Sequence, residues 1–139
     1  MRKLRFLLVI VMAVTICSGA LMSTSIVEAA SQSVSFGACS VTPGYVRRWF
    51  PTGDTGYTLT NGKNQTISVN VSTKGNKMGL GFMKYSSKSD YEYYSGTLNA
   101  TSKTVTKVLV GATASYQPYV ANRNETVYLK INSGYANMQ

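Results

Sequence analysis

Tyr45, Arg47 and Trp49 alternate along the segment Tyr-Val-Arg-Arg-Trp-Phe at residues 45–50. Alternate residues of an extended strand share a face. A phenol, a guanidinium and an indole would then lie side by side, a platform on which a sugar, a base or a lipid headgroup can stack. The same alternation places Arg48 with Val46 and Phe50. One face must enter a core, so either register would bury an arginine unless a bulge or an early strand end intervenes at Arg48. A place in the sandwich core is the commoner outcome for the single tryptophan of the chain.

A second grouping lies in residues 77–94. Met78, Leu80 and Phe82 fall on one face of a strand and leave Gly79 and Gly81 as a strip without side chains on the other. Beyond a polar turn at 86–90 the chain returns through Tyr91, Glu92, Tyr93 and Tyr94. Tyr91 and Tyr93 can flank the strip and make a shallow aromatic-walled groove, or cover it as packing, which is the commoner outcome for cross-strand aromatics. Lys77 and Lys84 bound the glycine-bearing segment. The candidate binding residues are therefore Tyr45, Arg47, Trp49, Lys77, Lys84, Tyr91 and Tyr93.

Catalytic chemistry finds little support. The chain has no histidine, which removes the commonest general base and the commonest metal ligand. Past residue 29 the carboxylates are Asp54, Asp90, Glu92 and Glu125. A glycosidase needs two carboxyls facing each other across a sugar, and Asp90 and Glu92 stand two residues apart on one strand face, where they read as solvated charges near lysines. No glycine-rich phosphate loop, zinc spacing or calcium loop is present. Cys39 has no histidine to activate it. A non-enzyme without metal or cofactor is expected.

Export is expected as well. Met-Arg-Lys-Leu-Arg at the start carries three positive charges and runs into an uncharged apolar stretch over 6–16, and Val27, Glu28, Ala29 and Ala30 close the segment. Basic start, apolar middle and small-residue exit define a secretory signal. Residues 1–29 are expected to be removed, and the style of the signal is that of a Gram-positive bacterium. A membrane anchor would need about twenty apolar residues, and serines and Thr24 dilute the far end of this run. Removal takes away Arg2, Lys3, Arg5 and Glu28 and leaves a net charge of +7 on residues 30–139. Such an excess favours polyanions. Outside a cell these are anionic cell-wall polymers, acidic polysaccharide, lipid headgroups or released DNA, with peripheral membrane contact in reach and intracellular nucleic acid excluded. A plain solubilising surface explains the same charge.

Residues 30–139 suit one domain. Helical periodicity is absent there, whereas short runs of Val, Ile, Thr and Tyr alternate with Gly, Asn, Ser and Lys clusters. Strands are expected near 33–41, 44–50, 55–60, 65–71, 78–85, 91–98, 104–110, 116–121 and 126–131. Asn61-Gly62 predicts a tight hairpin between Leu59 and Ile67. So many short, evenly spaced strands predict an all-β fold, a single antiparallel β-sandwich of jelly-roll or Ig-like type, with a barrel as runner-up. Cys39 is the only cysteine past residue 29, so no internal disulfide staples the domain. Alternation with Val34 and Phe36 turns Cys39 outward; residue preference turns it inward, and a switch of faces near Gly37 reconciles the two in favour of a buried thiol and a monomer.

The function expected from these readings is a secreted, basic, non-catalytic binding module for anionic or glycan surfaces of the bacterial cell envelope or extracellular matrix. The alternative is a bacteriocin-like antimicrobial or membrane-active toxin component, which needs apolar surface open to lipid. An enzyme inhibitor presenting a turn at 51–56 is a third class that the residues do not score.

Overall fold

The computed structural model describes residues 31–49, 51 and 55–139. The expected signal sequence, Phe50 and residues 52–54 of the turn lie outside them. The described residues form ten strands and no helix. They are β1 (Gln32–Phe36), β2 (Cys39–Val41), β3 (Val46–Arg48), β4 (Tyr57–Leu59) and β5 (Asn64–Val71), followed by β6 (Lys77–Lys84), β7 (Asp90–Thr97), β8 (Ser102–Val108), β9 (Ala114–Asn122) and β10 (Leu129–Met138).

Two antiparallel sheets pack together as a β-sandwich. The first runs β1-β10-β5-β8, with β2 following β1 along β10; the second runs β3-β9-β6-β7, with β4 following β3 along β9. Each sheet therefore has one edge made of two short strands in succession. Between the sheets lies one core to which Ile67, Val69 and Val71 of β5, Met78, Leu80 and Phe82 of β6, Tyr116 and Val120 of β9, and Leu129, Ile131, Ala136 and Met138 of β10 all contribute. These are the residues that period-two alternation assigns inward.

The structure corrects the sequence reading at three connections. Gly62 does take a positive φ of 79°, but Asn61 does not, and the Lys63 N–H closes the turn on the Thr60 carbonyl at 3.2 Å. The tight primed hairpin turns need positive φ at the first central residue, here Asn61; a turn with only the second positive does not match strand twist. The chain accordingly leaves β4 in the second sheet and enters β5 in the first. The strand expected over 126–131 starts only at Leu129 and runs on to Met138, leaving Val127 58% exposed. Its continuation was hidden by Asn132, Ser133 and Gly134, which look like a turn and are a β-bulge between Ile131 and Ser133. Finally, β3 stops at Arg48, so the predicted burial conflict ends with the strand.

Cys39 is half-buried and packs against the core from β2. Phe36, at the end of β1, is also inward. The pause at Gly37 and Ala38 between the two strands supplies the switch of faces.

Side chains close both open sides of the sandwich. At the β1/β3 side Trp49 stacks on Phe36, ring centroids 4.0 Å apart and planes 18° from parallel. At the β7/β8 side Lys103 lies over the Tyr94 ring at 4.4 Å and Lys107 over Tyr93 at 5.8 Å. Two lysines thus lend stems and charge to a boundary where no strand pairing is available.

Candidate functional site

The outward face of the second sheet is built on the glycine strip of β6. Register places Gly79 between Ala121 of β9 and Ser95 of β7, and Gly81 between Tyr119 and Glu92. The strip is covered, but not by Tyr91 and Tyr93. Both tyrosines face the interior, Tyr91 edge-on to Tyr116 at 5.5 Å and Tyr93 edge-on to Phe82 at 5.3 Å. The register of β7 on β6 shifts between Leu80 and Gly81, and this irregularity leaves Tyr94 packing on the core beside Tyr93. What lies over Gly79 is the Glu92 carboxylate, held by the Arg123 guanidinium at 2.8 Å. A Cβ at Gly79 would collide with that carboxylate, so the absence of a side chain is what lets the pair lie down on the sheet.

Beside this ion pair an open depression of about 440 Å³ is lined by Lys77, Glu92, Ser95, Gly96, Thr97 and Arg123. An asparagine network positions its two cations. The Asn122 side chain accepts from the Asn124 N–H at 3.0 Å and from the Asn124 side-chain amide at 2.7 Å, and that amide also reaches Asn76 Oδ1 at 3.2 Å. The Lys77 N–H donates to Asn124 Oδ1 at 2.9 Å, and the Arg123 N–H to the Lys77 carbonyl at 2.9 Å. Lys77 and Arg123 are thereby fixed side by side at the start of β6 and the end of β9.

Electrostatically the depression is cationic by one charge, two cations against Glu92. The hydrogen bond to Glu92, foremost, holds the Arg123 pKa above its ordinary value, so the guanidinium stays charged. Both partners of the pair keep solvent access, and such a pair contributes only about 0–1 kcal/mol. The arginine can therefore exchange part of that contact for a ligand oxygen at little cost. Close by, Tyr119 is 1% exposed and its hydroxyl has no hydrogen-bond partner. Burial first, then the Asp90 and Glu92 carboxylates, push its pKa up against the opposing pull of Arg123, so the phenol stays neutral. Among the described residues no group of three or more His, Cys, Asp or Glu could hold a metal ion.

Of the sequence candidates only Lys77 lines this depression. Lys84 sits at the other end of β6, seven residues on and about 24 Å away along a strand. Tyr45, 67% exposed, and Arg47, also exposed, stand at the opposite side of the sheet on or beside edge strand β3. Trp49, which alternation sets with them, spends one ring face on Phe36. Arg48 lies inward along the outer face and donates to Gln117 Oε1 at 3.2 Å. Arg123, Ser95 and Thr97 are not among the sequence candidates, and in the sequence Glu92 reads as a solvated charge near lysines. The signal that could have found Arg123 is its flanking by Asn122 and Asn124, which reads as turn filler in sequence and is a positioning network in space.

No protein-family model matches the chain, and no curated protein resembles it at a significant level.

Proposed function

We propose that this chain is an exported, basic, non-catalytic binding module that attaches to anionic or glycan surfaces of a bacterial envelope or extracellular matrix. The observation that carries the reading is the open depression in which Lys77 and Arg123 are held together beside the Ser95 and Thr97 hydroxyls. Two adjacent cations flanked by hydroxyl donors suit a phosphate, sulfate or carboxylate carried on a polymer. Nothing adjoining them supplies a nucleophile paired with a base, which favours binding over turnover.

The architecture is compatible with that role. With β1/β2 and β3/β4 each counted as one interrupted strand, successive strands alternate between the sheets except at the β6–β7 hairpin, an order compatible with a jelly roll, a fold that also serves lectin domains. The membrane-active alternative asks for contiguous apolar surface. Exposed large apolar residues do occur, among them Tyr45, Val46, Val108, Val110, Val127 and Tyr128, but none lines the cationic depression that carries the first reading.

The test is retention of the purified protein on an isolated anionic cell-wall polymer over a salt series. If Lys77 and Arg123 neutralise two phosphates, affinity should fall roughly tenfold between about 50 and 200 mM salt, and Arg123→Glu should abolish retention at the low end. Absence of retention at low salt, or dye release from anionic vesicles in place of it, would overturn the reading.

A further inference from the structure

The outer face of the first sheet has a different chemistry from the rest of the molecule. Across one row the register sets Ser35, Tyr135, Ser68 and Thr104 side by side on β1, β10, β5 and β8; across the next it sets Ser33, Asn137, Thr66 and Thr106. Asn70 follows between Ser133 and Ser102. Each of these positions is exposed or half-buried, whereas the intervening residues Ile67, Val69, Ala136 and Met138 are core. Four strands thus present hydroxyls and amides at about 4.8 Å across the sheet and about 6.8 Å along it, with one tyrosine, 39% exposed, in the middle.

Two properties separate this face from a merely solvated surface. The first is order. Thr66 and Thr106 hydroxyls bond at 2.8 Å, Ser68 and Thr104 at 2.7 Å, Asn132 to Asn70 at 3.0 Å and Ser72 to Asn132 at 2.8 Å. A pair of hydroxyls uses one O–H between them and keeps one O–H and several lone pairs for an outside partner. Side chains already held in place lose little entropy on binding. The second is charge. In a chain of strong cationic excess these rows carry none: Lys130 stands only at their end, opposite Ser40, and the β8 lysines 103 and 107 turn the other way, onto Tyr94 and Tyr93. A face meant for a polyanion or an anionic membrane would gather those cations; this face excludes them and so complements an uncharged partner.

From the ordered hydroxyl and amide rows, the central Tyr135 and the absence of charge, we propose that the outer face of the β1-β10-β5-β8 sheet binds an uncharged polysaccharide. Sugar hydroxyls exchange hydrogen bonds with the Thr, Ser and Asn rows, and the C–H face of a sugar ring rests on Tyr135. This site lies on the opposite side of the sandwich from the Lys77–Arg123 depression and does not depend on it.

The test mixes the purified protein with cellulose and with chitin particles in about 1 M salt, where charge attraction is screened within about 3 Å. Depletion from solution onto at least one polymer is expected, at an affinity that lower salt leaves unchanged. Tyr135→Ala and Thr104→Lys should each weaken it roughly tenfold or more, while Arg123→Glu leaves it intact. Thermal unfolding of each variant shows that the exposed substitutions preserve the fold. Depletion onto neither polymer, depletion only at low salt, or depletion that both sheet variants leave unchanged would overturn the proposal. Loss of anionic-polymer retention in Arg123→Glu alongside unchanged chitin or cellulose binding would keep the two sites apart.

Discussion

Replacing Asn122 with alanine removes four hydrogen bonds at a position only 1% exposed. Its amide donates to the Val41 carbonyl at 2.8 Å and the Val127 carbonyl at 2.9 Å, and its oxygen accepts from the backbone and side chain of Asn124. The bond to Val41 is the fully buried one. Leaving that carbonyl unpaired costs about 1–3 kcal/mol, and the other three, which water can partly replace, cost about 0.5 kcal/mol each. The expected destabilisation is about 2.5–4.5 kcal/mol, a large share of the roughly 5–15 kcal/mol of an ordinary domain. Urea unfolding followed through the fluorescence of Trp49, the single tryptophan, reads it directly. Asn122→Asp separates bonding from bulk: it keeps the volume but presents a carboxylate to two carbonyl oxygens, so it should be at least as damaging as alanine. Because the same network fixes Lys77 and Arg123, any folded fraction of either variant should also lose retention on an anionic polymer. A loss below about 1 kcal/mol for alanine, or an aspartate variant as stable as the parent, would refute the reasoning.

Alkaline pH should unfold the domain through its buried phenols. Burial, foremost, pushes Tyr93 and Tyr116 up to about 12 from 10.0. Both stay protonated in the fold while the unfolded chain ionises near 10, so stability is complete below pH 10 and declines as pH rises from there toward 12; melting temperatures measured across that window check the sign. The Tyr93 hydroxyl is buried without a partner. Tyr93→Phe should therefore leave neutral-pH stability within about 1 kcal/mol of the parent or raise it, and should soften the alkaline decline. Cys39, half-buried against the core, should alkylate slowly in the native protein and rapidly in denaturant, with a monomer on a non-reducing gel. Trp49→Ala gives up the stack on Phe36 and should cost about 2 kcal/mol, below the 3–5 kcal/mol of a fully buried aromatic, since Trp49 is only half-buried; chemical denaturation followed by far-ultraviolet circular dichroism measures it.

The all-β class and the inward residues of β5 and β6 could be read from the sequence because alternation is a local property, set by the pleat. What pairs with what is not local. Asn61-Gly62 carries every mark of a hairpin, yet the decision between hairpin and crossover rests on the φ angle of one residue and on which sheet offers β5 a partner. The end of β10 was lost because a bulge and a turn use the same residue types, Asn, Ser and Gly. The depression is half visible: Lys77 borders the glycine strip in sequence, but Arg123 reaches it from just past the end of β9, 46 positions later. Tyr91 and Tyr93 are expected at the glycine strip, whereas register sets Tyr91 opposite Phe82 and turns both rings into the core, a pairing that the alternation of one strand does not reveal.

The pairing of β1 with β10, Gln32 opposite Met138, has a consequence for timing. The first sheet is completed by the last strand in the chain: β10 joins β1 and β2 to β5, and buried Gln65 holds the backbone of Gln139 at 2.7 and 2.9 Å. No shorter stretch from the start can assemble that sheet, and contacts spanning such distances along the chain form slowly, on the millisecond-to-second scale of β-sandwiches. A chain that becomes available start-first therefore cannot complete the first sheet until β10 joins it. Removing β10 should leave β1 and β2 without a partner strand and β5 with β8 alone, and so expose the first sheet to proteases.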